Sequence, residues 1–123
     1  MKNKTMDQLK NLVAFNAAIS DADEDIQIIQ KEMASYGYDD KYVDALNDLK
    51  QKVICYRYQK VKICLELYDK IENMEDEQEK RLMKYRYIRG YTWDVIADKM
   101  GYSVRQIFNI HNKSLSSVNH FKI

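Results

Sequence analysis

The chain has 123 residues, no proline and only three glycines, with 20 Lys plus Arg against 19 Asp plus Glu. A chain of this length can close a core without disulfides or a metal. So few turn residues argue against a strand-rich fold, and no apolar run approaches the ~20 residues of a membrane span. The expected fold class is all-α: an N-terminal helical hairpin and long helix, then a C-terminal trihelical helix-turn-helix domain. The N-terminus is too polar for a signal peptide, so the expected location is the cytoplasm. Charge is unevenly placed: from Met1 to Asp48 there are 5 Lys and 10 Asp plus Glu, net −5, and from Lys80 to Ile123 there are 9 Lys plus Arg and two Asp, net +7.

In chain order, Thr5 and Gln8 form a capping-box pattern. A first helix is predicted from there to about Ile19, burying Met6, Leu9, Leu12, Val13 and Phe15. Ser20 is the expected cap of a second helix, with Asp21 to Asp25 in its positive first turn. Its seam, Ala22, Ile26, Ile29, Met33 and Tyr36, repeats at helical spacing, and Gly37 ends it. Asp39 or Asp40 starts the longest helix, to about Met74, or about 50 Å at helical rise. Its stripe is Tyr42, Leu46, Leu49, Val53 and Tyr56, then Cys64, Leu67, Ile71 and Met74, interrupted by Lys60. The second half of this stripe needs a cover: the C-terminal domain, the first helix or a second copy. A homodimer or higher homo-oligomer is the expectation.

Cys55 and Cys64 lie nine apart on that helix, about 13 Å, too far for a disulfide. Both are expected as reduced, half-buried thiols. Asp76 to Glu79 is a second capping-box pattern, opening a helix from Glu77 to Arg89 with Leu82, Met83, Tyr85 and Ile88 inward and Gly90 at its end. The predicted domains are therefore 1–75, an interaction region, and 76–123, a second helical region. Val118, Phe121 and Ile123 are expected to pack back on the latter.

The segment TWDVIADKMGYSVRQIFNIHNKSL reads as a helix-turn-helix. Thr92 caps a short helix, Trp93 to Met100, whose inward face is Trp93, Ile96, Ala97 and Met100. Gly101 supplies the turn, and Ser103 caps a second helix with Ile107, Ile110 and Leu115 inward. The small Ala97 permits a close, steep crossing. The outward set is Val104, Arg105, Phe108, Asn109, Asn112 and Lys113, the face that a recognition helix presents to the major groove. The basic C-terminal charge coincides with it and suits double-stranded DNA.

The stretch RLMKYRYIRGYTWDVIADKMGYSVRQIFNIHNKSL resembles region 4 of the sigma-70 superfamily. The resemblance rests on Arg86-Tyr87-Ile88-Arg89-Gly90, Thr92 through Ile96-Ala97, Met100-Gly101 and Ser103 through Ile107, and covers about residues 77 to 116. The helical extension before this block looks like small phage and prophage regulators of Firmicutes, the RinA-like and ArpU-like proteins of late transcription. The resemblance implies a DNA-binding transcription regulator in a bacterial host, with RNA polymerase as a further partner. By position it implies DNA contacts from Val104, Arg105, Phe108, Asn109 and Lys113, with Arg86 and Arg89 near the backbone. Nothing resembles the promoter-melting region 2, so a complete sigma factor is not expected.

Chemically, Arg105 suits guanine N7 and O6, Asn109 suits adenine, and Phe108 or Val104 suits a thymine methyl. Gln106 would reach a base or a phosphate. Ser103 and the helix-start N–H groups suit a phosphate. Lys84, Lys99 and Lys113 add backbone charge. The tyrosines, Tyr56, Tyr58, Tyr85, Tyr87 and Tyr91 among them, read as core edges with wet hydroxyls, and His111 as a packed histidine. His111 and His120 stand apart from any ligand set. No nucleophile–base set, phosphate loop or metal spacing stands out, so neither an enzyme nor a cofactor is expected. Two other classes remain open: a small terminase-like DNA-packaging protein, and a module that binds RNA polymerase or a sigma factor without DNA.

Overall fold

A computed structural model describes residues 4–119, which form helices joined by short turns, with no strand among them. The all-α expectation holds. Helix α1 is Lys4–Tyr36, α2 is Asp40–Glu72, α3 is Glu77–Met83, α4 is Trp93–Met100 and α5 is Val104–Asn119; a π-helical turn, Lys84–Ile88, follows α3. The side chain of Val118, and all of His120, Phe121 and Ile123, lie outside what is described, and with them the expected return of the C-terminus.

Two expectations about α1 need correction. No break occurs at Ser20, which sits exposed inside one continuous helix. A mid-helix serine costs only a few tenths of a kcal/mol, whereas ending a helix there would orphan several backbone groups. Nor do Thr5 and Gln8 form a capping box. Both are buried, and both serve contacts with α2: Lys70 Nζ donates to Thr5 Oγ1 at 2.9 Å, and Gln8 Nε2 donates to the Glu66 carboxylate. The start of α2 follows the sequence more closely, with the Asp39 carboxylate accepting from the Lys41 N–H at 2.9 Å.

The chain divides into two compact units, Met1–Val13 with Lys62–Ile123, and Ala14–Val61. The division does not fall at 75/76, because residues on both sides of that point share a core. Leu9 and Leu12 of α1, Leu67 and Ile71 of α2, and Met74 cluster with Leu82, Met83, Tyr87, Ile96, Ala97 and Ile107. The second half of the α2 stripe is thus covered within the chain. Each such side chain contributes about 1.5–3 kcal/mol of burial.

The other unit is a hairpin of α1 and α2. Ala22, Met33 and Val53 are its buried hydrophobics, and Phe15 meets Tyr56 with ring centroids 6.2 Å apart. Tyr36, expected on the seam, is 81% exposed because it is the last residue of α1. Arg57 and Asp23 face each other across the hairpin at 3.6 Å. Cys55 is exposed, not half-buried as expected, and Cys64 is half-buried; no disulfide forms.

Asp76 caps α3, its carboxylate accepting from the Glu79 N–H at 3.0 Å. Only half of the expected box forms, since Glu79 Oε1 instead accepts from Ser117 Oγ at 3.2 Å. The expected helix to Arg89 changes pitch after Met83: Arg89 N–H bonds to Lys84 O at 2.9 Å, an i→i+5 bond. Thr92 caps α4, accepting from the Val95 N–H at 3.4 Å. Gly101 ends α4 at φ +72°, and the following Tyr102 N–H closes back on Ala97 O at 3.1 Å, a Schellman closure. A Cβ at Gly101 would meet no atom within 4 Å, so only the left-handed backbone opposes a side chain there. Gly101→Ala is therefore expected to cost about 1–2 kcal/mol, read as a lower urea midpoint at unchanged slope, with Gly101→Asn losing less.

Candidate nucleic-acid interface

The interface is built on the start of α5. Ser103 and Gln106 form a reciprocal capping box that sequence reading saw only in part: Gln106 N–H donates to Ser103 Oγ at 3.2 Å, and Ser103 N–H donates to Gln106 Oε1 at 2.9 Å. These bonds use the Ser103 hydroxyl oxygen and the Gln106 carbonyl oxygen as acceptors in the cap, and the Ser103 O–H stays available as a donor. The N–H groups of Val104 and Arg105 remain as helix-start donors for an anion.

Beyond the cap, α5 has two faces. Ile107 and Ser114 are fully buried, and Ile110 and Leu115 flank them half-buried. Ser114 belongs at the centre of this face because its hydroxyl donates to Ile110 O at 2.8 Å and is not itself left unpaired. On the other side Arg105, Gln106, Phe108, Asn109, Asn112 and Lys113 are exposed. Val104, expected outward, is half-buried and packs on the core cluster.

Phe108 is 43% exposed, and its ring meets Trp93 edge-on at 5.1 Å. Trp93 is the platform of this region. His111 meets it edge-on at 4.8 Å, and the Arg86 guanidinium lies over it at 4.2 Å. His111 also stacks on Tyr87, whose hydroxyl is 2.7 Å from His111 Nε2. Burial, and secondarily the charge of Arg86, lower the His111 pKa, which favours the neutral imidazole. The packed-histidine expectation agrees with this geometry.

The basic residues divide in a way the sequence does not reveal. Arg86 is turned inward: beyond its stacking on Trp93, its Nη1 donates to Tyr91 O at 3.1 Å, and burial lowers its pKa. These contacts tie Arg86 into the fold. Lys84 pairs with Glu72, and that hydrogen bond holds the Glu72 carboxyl below its ordinary pKa. Arg89 is exposed, its guanidinium 5.5 Å from the Tyr85 ring, and Lys99 is exposed at 5.2 Å from Tyr91. Tyr85 and Tyr91 are thus half-buried shelves for cations, Tyr87 is buried, and Tyr58 departs from the core-edge reading at 66% exposed.

Two residues that sequence reading missed adjoin the exposed face. Gln78 and Tyr102, joined by a hydrogen bond, line a shallow groove of about 260 Å3 with Gln106, Asn109 and Ile110. Tyr102 lies in the turn just before the cap, which is a usable signal. Gln78 is brought there from α3 by tertiary packing and leaves no sequence signal. Among the described residues no three His, Cys, Asp or Glu side chains gather to hold a metal ion, and no helix is long and apolar enough to cross a membrane.

The chain is similar to the RNA polymerase sigma factor SigO of Bacillus subtilis (strain 168), at 34% identity over 79 residues. The similarity covers 64% of this chain and 39% of that protein, so the chain spans well under half the length of the curated relative it matches. No family model matches, and no solved structure matches. The chain therefore carries a sigma-factor-like helical region.

Proposed function

We propose that this chain is a sequence-specific DNA-binding transcription regulator of the phage and prophage type. It reads double-stranded DNA with a sigma region 4-like helix-turn-helix and works in the cytoplasm of a bacterial host. The carrying observation is the exposed face of α5. Arg105, Phe108, Asn109, Asn112 and Lys113 project from a helix whose N-terminus is fixed by the reciprocal Ser103–Gln106 box and whose opposite face is locked into the core. The similarity to a sigma factor supports a role at promoters and RNA polymerase as the second partner.

In this reading the Val104 and Arg105 N–H groups take a phosphate, and Arg105 and Asn109 enter the major groove. Phe108, braced by Trp93, lies against a thymine methyl. Lys113, Arg89 and Lys99 contact backbone phosphates without reading sequence. Anisotropy titrations across a series of salt concentrations test this division of roles. Lys113→Ala is expected to reduce the slope of log affinity against log salt by about 1, to a similar extent on any DNA. An unchanged slope would remove Lys113 from the backbone contacts.

A further inference from the structure

The cations between α3 and α4 fall into two groups. Lys80, Lys84 and Arg86 are engaged within the chain: Lys80 by Glu77, Lys84 by Glu72, and Arg86 by Trp93 and the Tyr91 carbonyl. Arg81, Arg89 and Lys99 are exposed, and among the described residues none of the three is paired with a carboxylate. Each is held over a tyrosine ring instead. The Arg81 and Arg89 guanidinium carbons lie 5.3 and 5.5 Å from the Tyr85 ring centroid, and Lys99 Nζ lies 5.2 Å from that of Tyr91. The two tyrosines form one shelf, because the Tyr91 N–H donates to Tyr85 O at 2.9 Å and their rings are 5.5 Å apart.

Three uncompensated positive charges on one shelf call for an anionic partner. The nearby acids do not supply it from within: Glu77 is bound to Lys80, Glu79 accepts from Ser117, and Asp94 and Asp98 of α4 are exposed and pair with none of the three. Arg81 is the best placed to bind one. Its Nε donates to Tyr85 Oη at 3.0 Å, which fixes the side chain and leaves Nη1 and Nη2 without a hydrogen bond among the described residues. Two parallel donors so presented match two oxygens of a phosphate. The shelf also continues the exposed face of α5. Phe108 meets Trp93, Trp93 carries Arg86, and Arg86 Nη1 donates to Tyr91 O at 3.1 Å. A row of cations contiguous with that face suits a polyanion of regularly repeated charge, the backbone of a duplex.

We propose that Arg81 joins Arg89 and Lys99 as a contact to the sugar–phosphate backbone of the same duplex, with Tyr85 as the residue that positions its guanidinium. The duplex is then gripped on two surfaces, the face of α5 and the tyrosine shelf. The proposal rests on the DNA-binding reading above and adds to it a site off the recognition helix. As a phosphate contact, the shelf raises affinity without selecting sequence.

The test is anisotropy binding of the full chain to a short labelled duplex of arbitrary sequence across a salt series. Arg81→Gln should reduce the slope of log affinity against log salt by about 1, and Arg81→Gln with Arg89→Gln and Lys99→Gln by about 3. Tyr85→Phe keeps the ring and removes the acceptor of the Arg81 bond. It should weaken binding about 2- to 10-fold, since Arg81 must then be ordered on binding, with the slope unchanged. Added to Arg81→Gln, it should cost nothing further, which a purely structural role for the hydroxyl would not give. An Arg81→Gln slope equal to wild type, with Lys113→Ala reducing its own, overturns the proposal, keeps the reading of α5 and leaves the shelf to an acidic protein. Loss of slope in Arg81→Gln, with none in Lys113→Ala and no loss of discrimination in Arg105→Ala, upholds the shelf and refutes the reading of α5. A wild-type chain that binds no duplex at low salt overturns both.

Discussion

Arg105→Ala is expected to raise the Kd for the cognate DNA site by about 10- to 100-fold, equivalent to about 1–3 kcal/mol. Affinity for unrelated DNA should fall far less. The reasoning starts from the cap: the Ser103–Gln106 bonds fix the first turn of α5, so an exposed side chain at 105 leaves the helix in a defined direction. A guanidinium held there can offer two parallel N–H donors to guanine, a geometry that lysine cannot reproduce. Arg105→Lys should therefore recover backbone attraction but not discrimination at that base pair. Anisotropy with matched and single-substituted sites checks this. Equal losses on all sequences would make Arg105 a phosphate contact instead of a reader.

Trp93→Ala is expected to produce the largest stability loss among single changes at the interface, about 3 kcal/mol. Trp93 contacts Phe108, His111 and Arg86. Removing it takes away two edge-on aromatic contacts of about 0.5–1.5 kcal/mol each. It also leaves a half-buried guanidinium without the ring that compensates its lost hydration. Urea unfolding followed by circular dichroism is the suitable readout, because Trp93 is the only tryptophan and its fluorescence disappears with it. Trp93→Phe should retain part of the loss. Trp93→Ala should also weaken DNA binding where the fold persists, since Phe108 loses its brace. A stability change below about 1 kcal/mol would show that the cluster repacks without it.

Much of the C-terminal half is legible in the sequence because local chemistry decides it. Thr92, Gly101 and Ser103 act where they stand, as cap, left-handed turn and cap, and Ile96, Ala97 and Ile107 form the inward faces through helical period alone. What was hidden is tertiary. Thr5 and Gln8 have the residue types and spacing of a capping box, yet Lys70 and Glu66 claim their side chains from α2. Ser20 resembles a cap, but nothing beside it interrupts the helix. Arg86 and Arg89 look equivalent in RYIRG. The π turn and Trp93 draw Arg86 inward and leave Arg89 outside. Val104, the first residue of α5, packs on the core cluster, and Gln78 reaches the interface only through the packing of α3 against α5.

The most direct test of the central claim is anisotropy binding of the purified full chain to short duplexes tiled across its own genomic neighbourhood, at two salt concentrations. The proposed regulator should bind one tile tightly and the others weakly, with affinity for all of them falling as salt rises. Equal weak binding to every tile, or none at low salt, would contradict sequence-specific recognition by α5.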